Sequence, residues 1–153
     1  MTDVHKLRQF FGQEKNFAVL HILLVEKKTI TLRELEFCAR NFATYAQDPK
    51  SNAIYLDTLS VLGKRRFDAF RRASHFMFST KHGKVKTNYA QLRFVRFTIE
   101  AGIFDYAKKN KNKIFIDMTL YLKTKSTKKK GSRAKRKKNT INTMIGWNKK
   151  LKH

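Results

Sequence analysis

No acidic residue follows Asp117. Residues 118–153 carry 13 Lys and Arg, and ten of these fall between Lys123 and Lys138, in "KTKSTKKKGSRAKRKK", with only Ser, Thr, Gly and Ala between them. A stretch with no bulky apolar side chain and unrelieved like charge repels itself and has nothing to bury, so it cannot contribute a core. The fold must be built before it. The expected organisation is a compact single domain over residues 1–122, an extended basic arm over 123–138 and a short amphipathic segment over 139–153.

The part before the arm has what a core needs. At 153 residues the chain has the length of one ordinary domain. Its hydrophobic share is 41%, with 13 Phe and 5 Tyr, enough bulky apolar surface to close one core. Charge is the outlying property: 35 Lys and Arg face 11 Asp and Glu, a formal net charge of +24. Residues 1–117 hold 22 cations and all 11 acids, so body and tail are both basic. Such a field draws the protein toward polyanions whatever its fold.

The first residues, "MTDVHKLRQFFGQEKNF", are charged and lack the apolar core of a secretory signal. The longest apolar run, Phe17 to Val25, is broken by His21 and is far shorter than the roughly 18 residues a membrane span needs. A soluble protein with no membrane span is expected. Cys38 is the one cysteine, and between Phe37 and Ala39 it reads as a small buried apolar residue in a reducing compartment.

Periodicity sets out the elements. The run Phe17 to Val25 fits a buried helix or a buried strand equally well. Thr31 with Glu34 forms a capping box, and Leu32, Leu35, Cys38, Ala39, Phe42 and Tyr45 recur at helical spacing, predicting a helix over about 32–46 that stops before Pro49. From Ile54 to Arg72 two helical pieces are expected, interrupted at Gly63. Phe76, Phe78 and Val85 around His82-Gly83 predict a small β-hairpin. Asn88 with Gln91 caps a helix whose inward face carries Leu92, Val95 and Ile99, and Gly102 stops it. "IFDYAKKNKNK" continues as a short helix ending at Asn110. Residues 114–122 alternate as a strand would, yet Ile114, Met118 and Leu122 share a helical face, so that segment stays open. The expected fold class is mainly α with a small β-hairpin.

Catalytic patterns are sparse. His5, His21, His75, His82 and His153 are scattered without metal-ligand spacing, the glycines form no phosphate loop, and no Ser occupies a nucleophile elbow. No enzyme activity, cofactor or metal is expected. Binding chemistry reads more clearly. Lys64, Arg65, Arg66, Arg71 and Arg72 interleave with Phe67 and Phe70, which on a helix would share one face and leave the cations to clamp phosphates or carboxylates. That pattern equally describes a solvated basic face anchored by two Phe. Arg93 and Arg96 would extend the patch, whereas Lys81, Lys84 and Lys86 read as solubility charges. In the arm, Lys128, Lys129, Lys130, Arg133, Lys135, Arg136, Lys137 and Lys138 are the candidate contacts to nucleic acid or an acidic partner, and "KRKK" also fits a nuclear import signal. Beyond it, Ile145, Trp147 and Leu151 are candidate docking residues.

The blocks "KKTITLRELEFCARNFA", "KRRFDAFRR", "TNYAQLRFVRFTIEAGIFDYAKKN" and "IFIDM", followed by the basic tail, together resemble a family of short basic proteins of nucleocytoplasmic large DNA viruses, of the iridovirus, phycodnavirus and marseillevirus kind. The resemblance spans most of residues 27–138 and rests on the order of the blocks. It carries no catalytic positions. It implies a viral protein made for the particle or for handling its genome, located in the virion and, during assembly, in the host cytoplasm or nucleus. The partners it implies are other capsid or virion proteins, or double-stranded DNA. The alternative is a DNA-binding protein of the infected cell, either sequence-nonspecific or using the Lys64–Arg72 cluster and the Asn88–Ala101 helix in the manner of a helix-turn-helix.

Overall fold

In the computed structural model, residues 2–47, 49–70 and 74–128 are described, with the backbone alone for 49–53. The chain divides into two compact units, Met1–Phe115 and Ile116–His153. In the first unit, helices α1 (Asp3–Phe11), α2 (Glu14–His21), α3 (Leu32–Arg40), α4 (Phe42–Ala46) and α5 (Pro49–Leu62) precede an antiparallel hairpin of β1 (Phe76–Thr80) and β2 (Gly83–Thr87). Helices α6 (Tyr89–Glu100) and α7 (Ile103–Lys109) follow. An eighth helix, α8, occupies 111–128. The protein is mainly α with one small β-hairpin, as the sequence leads one to expect.

The open alternative at Phe17 to Val25 resolves as helix. After α2 the backbone widens into a π-helical turn, Ile22–Glu26, closed by Lys27 in the left-handed region at φ 56°. Residues 32–46 form two helices rather than one, because the chain breaks at Asn41 (φ −110°, ψ 15°), whose side-chain amide donates to the Phe37 carbonyl. The start is as expected: Thr31 Oγ1 accepts from the Glu34 amide at 3.2 Å, satisfying a donor that the first turn leaves unpaired. Pro49 opens α5, the helical position where a missing N–H matters least.

One expectation fails between Gly63 and Arg72. No second helix forms over the described residues 63–70, and Gly63 (φ 71°) turns the chain out of α5 instead. Phe67 is buried while Phe70 is 44% exposed, so the two do not share a core-facing side. The reason is competition from tertiary structure. The Arg66 and Phe67 amides close one local turn onto the Gly63 carbonyl. Beyond it the Asp68 amide donates to the Ala90 carbonyl and the Ala69 carbonyl accepts from Gln91 Nε2 at 2.9 Å, so the backbone at 68–69 bonds to α6 and the turn does not continue as a helix.

The hairpin forms with Lys81 and His82 as its loop and Gly83 as the first residue of β2, one residue earlier than the sequence reading. Phe78, Val85 and Thr87 are buried, and Met77, Lys84 and Lys86 are exposed, the alternation of a half-buried sheet. Its tip is pinned to the α1–α2 turn, where His82 Nε2 lies 3.1 Å from the Gly12 carbonyl. Gly83 sits at φ 145° with the Phe17 ring 3.3 Å from where a Cβ would stand. Gly83→Ala adds backbone strain and a ring clash together and should destabilise the protein by about 1–3 kcal/mol. A lowered urea midpoint at unchanged slope is the expected reading.

Helix α6 is the centre of the core. Ala90, Gln91, Leu92, Phe94, Val95 and Thr98 are all buried on it, and it packs against α1, α2 and α7. Asn88 Oδ1 accepts from the Gln91 amide at 2.9 Å, forming the expected N-cap, and Gly102 leaves the helix at φ 74°. Gln91 does more than cap, since its side chain also bonds Thr87 Oγ1 at 2.7 Å and so ties β2 to the 67–69 segment. Around α6 lies an aromatic cluster in which the Phe67 ring is 5.9 Å from Tyr55, 5.8 Å from Phe94 and 5.5 Å from Phe97.

Cys38 is fully buried in this unit, and its surroundings push the thiol pKa up to about 12. Near neutrality it is a protonated, enclosed thiol. Alkylation of the folded protein at pH 8 should therefore run at least roughly a thousandfold slower than in denaturant. The check is a timed thiol assay with and without urea.

Helix α8 decides the segment left open as helix or strand. Ile114 is buried in the core of the first unit. In the second unit Met118 is buried, whereas Ile116 and Leu120 are each 57% exposed and Leu122 is 45% exposed. The helix runs through Lys123–Lys128, which corrects the expectation of an extended arm beginning at 123. Once a helix is nucleated each further residue adds a hydrogen bond, and neither Pro nor Gly occurs in 111–128 to stop it. Residues 129–138 of the arm and the segment 139–153 lie outside the described residues.

Candidate polyanion interface

The candidate cations fall into three groups. Lys64, Arg65 and Arg66 are exposed in the turn that follows Gly63, on a loop and not on a helix face. Arg71 and Arg72 lie outside the described residues. The turn owes its position to Phe67, which inserts into the aromatic cluster directly after the three cations. A buried anchor following a run of charges leaves the charges in water at a defined place.

Arg93 comes from α6, yet the fold brings it to that turn. Its Nη1 donates to the Arg66 carbonyl at 3.1 Å, its Nε donates to Asp3 Oδ2 at 2.6 Å, and its guanidinium lies 6.0 Å from the Tyr89 ring centroid. Arg93 therefore joins α1, α6 and the 63–66 turn, and part of its hydrogen-bonding capacity is spent inside the protein. Arg96, one turn further along α6, donates from Nε to Glu100 Oε1 at 2.8 Å and stacks over Phe10 at 5.1 Å. Both pairings are partly exposed, where ion pairs contribute little to stability, about 0–1 kcal/mol. The sequence reading expected both arginines to extend the Lys64–Arg66 patch; Arg93 reaches the Arg66 carbonyl, whereas Arg96 meets Glu100 and Phe10, and the sequence gave no sign of the carboxylates that hold them.

Helix α1 and the turn after it add residues that the sequence reading missed. Lys6, Gln9, Phe10 and Gln13 line a cleft of about 500 Å3 together with Arg96. Lys6, Gln9 and Phe10, at i, i+3 and i+4, were a legible signal of one helix face, whereas Gln13 follows the end of α1 at Gly12. What was not legible was that the face meets α6.

On the second unit, Lys123, Lys125 and Lys128 are exposed on α8. Lys125 Nζ lies 4.8 Å from the Tyr121 ring centroid, a cation–π contact that fixes the ammonium close to the helix surface. The candidate contacts Lys129, Lys130, Arg133, Lys135, Arg136, Lys137 and Lys138, and the docking residues Ile145, Trp147 and Leu151, lie outside the described residues.

The titratable groups elsewhere do not converge. Glu36 Oε1 accepts from Arg40 Nε at 2.6 Å and from the Tyr55 hydroxyl at 3.2 Å. Burial, reinforced by the Glu36 charge, raises the Tyr55 pKa far above its ordinary range, so this phenol is a fixed hydrogen-bond donor. Among the described residues, no cluster of three or more His, Cys, Asp or Glu is placed to hold a metal ion, and no helix is long and apolar enough to cross a membrane. Compared with protein-family models, with curated proteins and with solved structures, the chain matches none.

Proposed function

We propose that the protein is a non-enzymatic structural component of a large DNA virus particle, a minor capsid or core protein, whose basic arm binds acidic neighbouring proteins or packaged DNA. The observation that carries this reading is the charge distribution: 13 cations and no acid after Asp117. Charge of one sign over that length is stabilised only against an anionic surface. The viral setting comes from the resemblance of the blocks at 27–43, 64–72, 87–110 and 114–118. The exposed Ile116, Leu120 and Leu122, directly followed by Lys123 and Lys125, add apolar area beside the charge, a combination suited to a protein neighbour as well as to a polyanion.

A sequence-reading protein of the infected cell is less well supported. In a helix-turn-helix the recognition helix must offer a face to the major groove. Six of the residues of α6 are buried, and its two arginines are bonded within the protein. The structural reading predicts that the protein co-purifies with intact particles of the virus that encodes it, at a constant ratio to the capsid protein. Abundance in infected-cell extracts with none in the particles would reject it.

A further inference from the structure

We propose that the cleft between α1 and α6 seats a backbone phosphate of duplex DNA, in addition to whatever the arm contacts. The cleft combines two cations, Lys6 and Arg96, with two amides, Gln9 and Gln13, over the Phe10 ring. Its geometry is set by a buried residue. Asn16 is 3% exposed and donates from Nδ2 to the Phe10 carbonyl at 2.9 Å and to Gln13 Oε1 at 3.3 Å. With its oxygen already accepting from Asn16, Gln13 keeps both N–H donors of its amide for a ligand. That contact holds the amide in place and favours a ligand that accepts.

Arg96 is prepared in the same way. Stacking on Phe10 fixes the plane of the guanidinium, and Glu100 takes the Nε edge. Among the described residues its Nη atoms have no acceptor, and paired Nη donors match two oxygens of one phosphate. Lys6 supplies a mobile point charge from the other helix. An ammonium, a fixed guanidinium and an oriented amide donor select for an anion with several oxygens.

The surroundings favour a repeating anion over a single one. From Arg96 the next cation on α6 is Arg93, which touches the Arg66 carbonyl, and Lys64 to Arg66 follow in the exposed turn. Along this path six cations accompany three carboxylates, Asp3, Asp68 and Glu100. Duplex DNA offers one negative charge per about 1.7 Å of its axis, so successive cations find successive phosphates. The choice of DNA as the source of the phosphate rests on the function proposed above, while the cleft itself does not depend on the arm.

The test uses the full chain. Lys6→Gln with Arg96→Gln should reduce the slope of log affinity against log salt for a short duplex by about two, near 0.9 per lost contact. The control, Lys81→Gln with Lys84→Gln, removes equal charge from the hairpin and should leave the slope nearly intact. An equal drop in both double variants overturns the proposal. Because the loss of Arg96 also removes packing on Phe10, a second measurement uses the wild-type chain labelled with 15N. The Gln13 side-chain amide signals should shift on titration with a 12-base-pair duplex, and not with equimolar inorganic phosphate or a phosphoserine peptide. No shift, or an equal shift with either of the other two probes, overturns it. Duplex binding that persists with Gln13 silent leaves the arm reading standing and removes the cleft; no duplex binding at all removes DNA from both.

Discussion

Phe67→Ala should lower the unfolding free energy by about 3–5 kcal/mol, in the range of a large-to-small change in a closed core. Phe67 is 1% exposed and touches Tyr55, Phe94 and Phe97, so its removal opens a cavity bounded by three further rings on α5 and α6. Those rings are held in separate elements, and none can collapse into the space without moving a helix. For a chain of this size the loss corresponds to a fall in melting temperature of roughly 6–20 °C. Calorimetry provides the measurement. The same variant should weaken the ordering of Lys64–Arg66, whose place depends on the anchor next to them. Phe70→Ala is the informative contrast: with 44% of its surface already exposed, it should change stability by less than about 1 kcal/mol. A loss at Phe70 equal to that at Phe67 would contradict the assignment of the anchor to one ring.

The largest functional effect is expected from the arm. The full chain should bind duplex DNA with an affinity that falls about a thousandfold to a hundred-thousandfold between roughly 50 and 200 mM salt, the behaviour of six to ten neutralised phosphates. Exchanging the ten cations from Lys123 to Lys138 for Gln should remove most of this slope. Fluorescence anisotropy across a salt series measures both quantities. Folding of the first unit should be insensitive to the exchange, because among the described residues the buried cluster contains none beyond Ile114. Cooperative unfolding at an unchanged temperature, with DNA binding lost, is the expected pair of results. If the neutralised chain keeps its affinity and prefers one base sequence, the body reads DNA directly and the structural role proposed here is wrong.

Several elements were legible because they rest on local rules. The caps at Thr31 and Asn88, the turn-out at Gly102 and the alternation of Phe76, Phe78 and Val85 are each decided within a few residues. All four occur where the sequence put them. The candidate site was legible only as charge. Lys64 to Arg66, Arg93 and Arg96 could be picked out as cations, but the partners that hold two of them, Asp3 90 residues from Arg93 and Phe10 far from Arg96, could not. Where sequence reasoning failed, two local solutions were close in energy. Residues 64–70 had the periodicity of a helix, and the bonds from Ala90 and Gln91 to that backbone outweighed it. Residues 114–122 suited strand and helix alike, and the chain takes the helical solution as α8.

Sequence alone determined that acid-free charge gathers at one end, that a Phe-rich core closes before it, and that the class is mainly helical, since composition and short-range capping do not need to know where the chain goes next. Tertiary structure decided which cations stand together and which are already committed, because α1, α6 and the 63–66 turn meet only after the core has closed. It also decided that the Gln13 side-chain oxygen accepts from a buried Asn16, whose place no local pattern foretells.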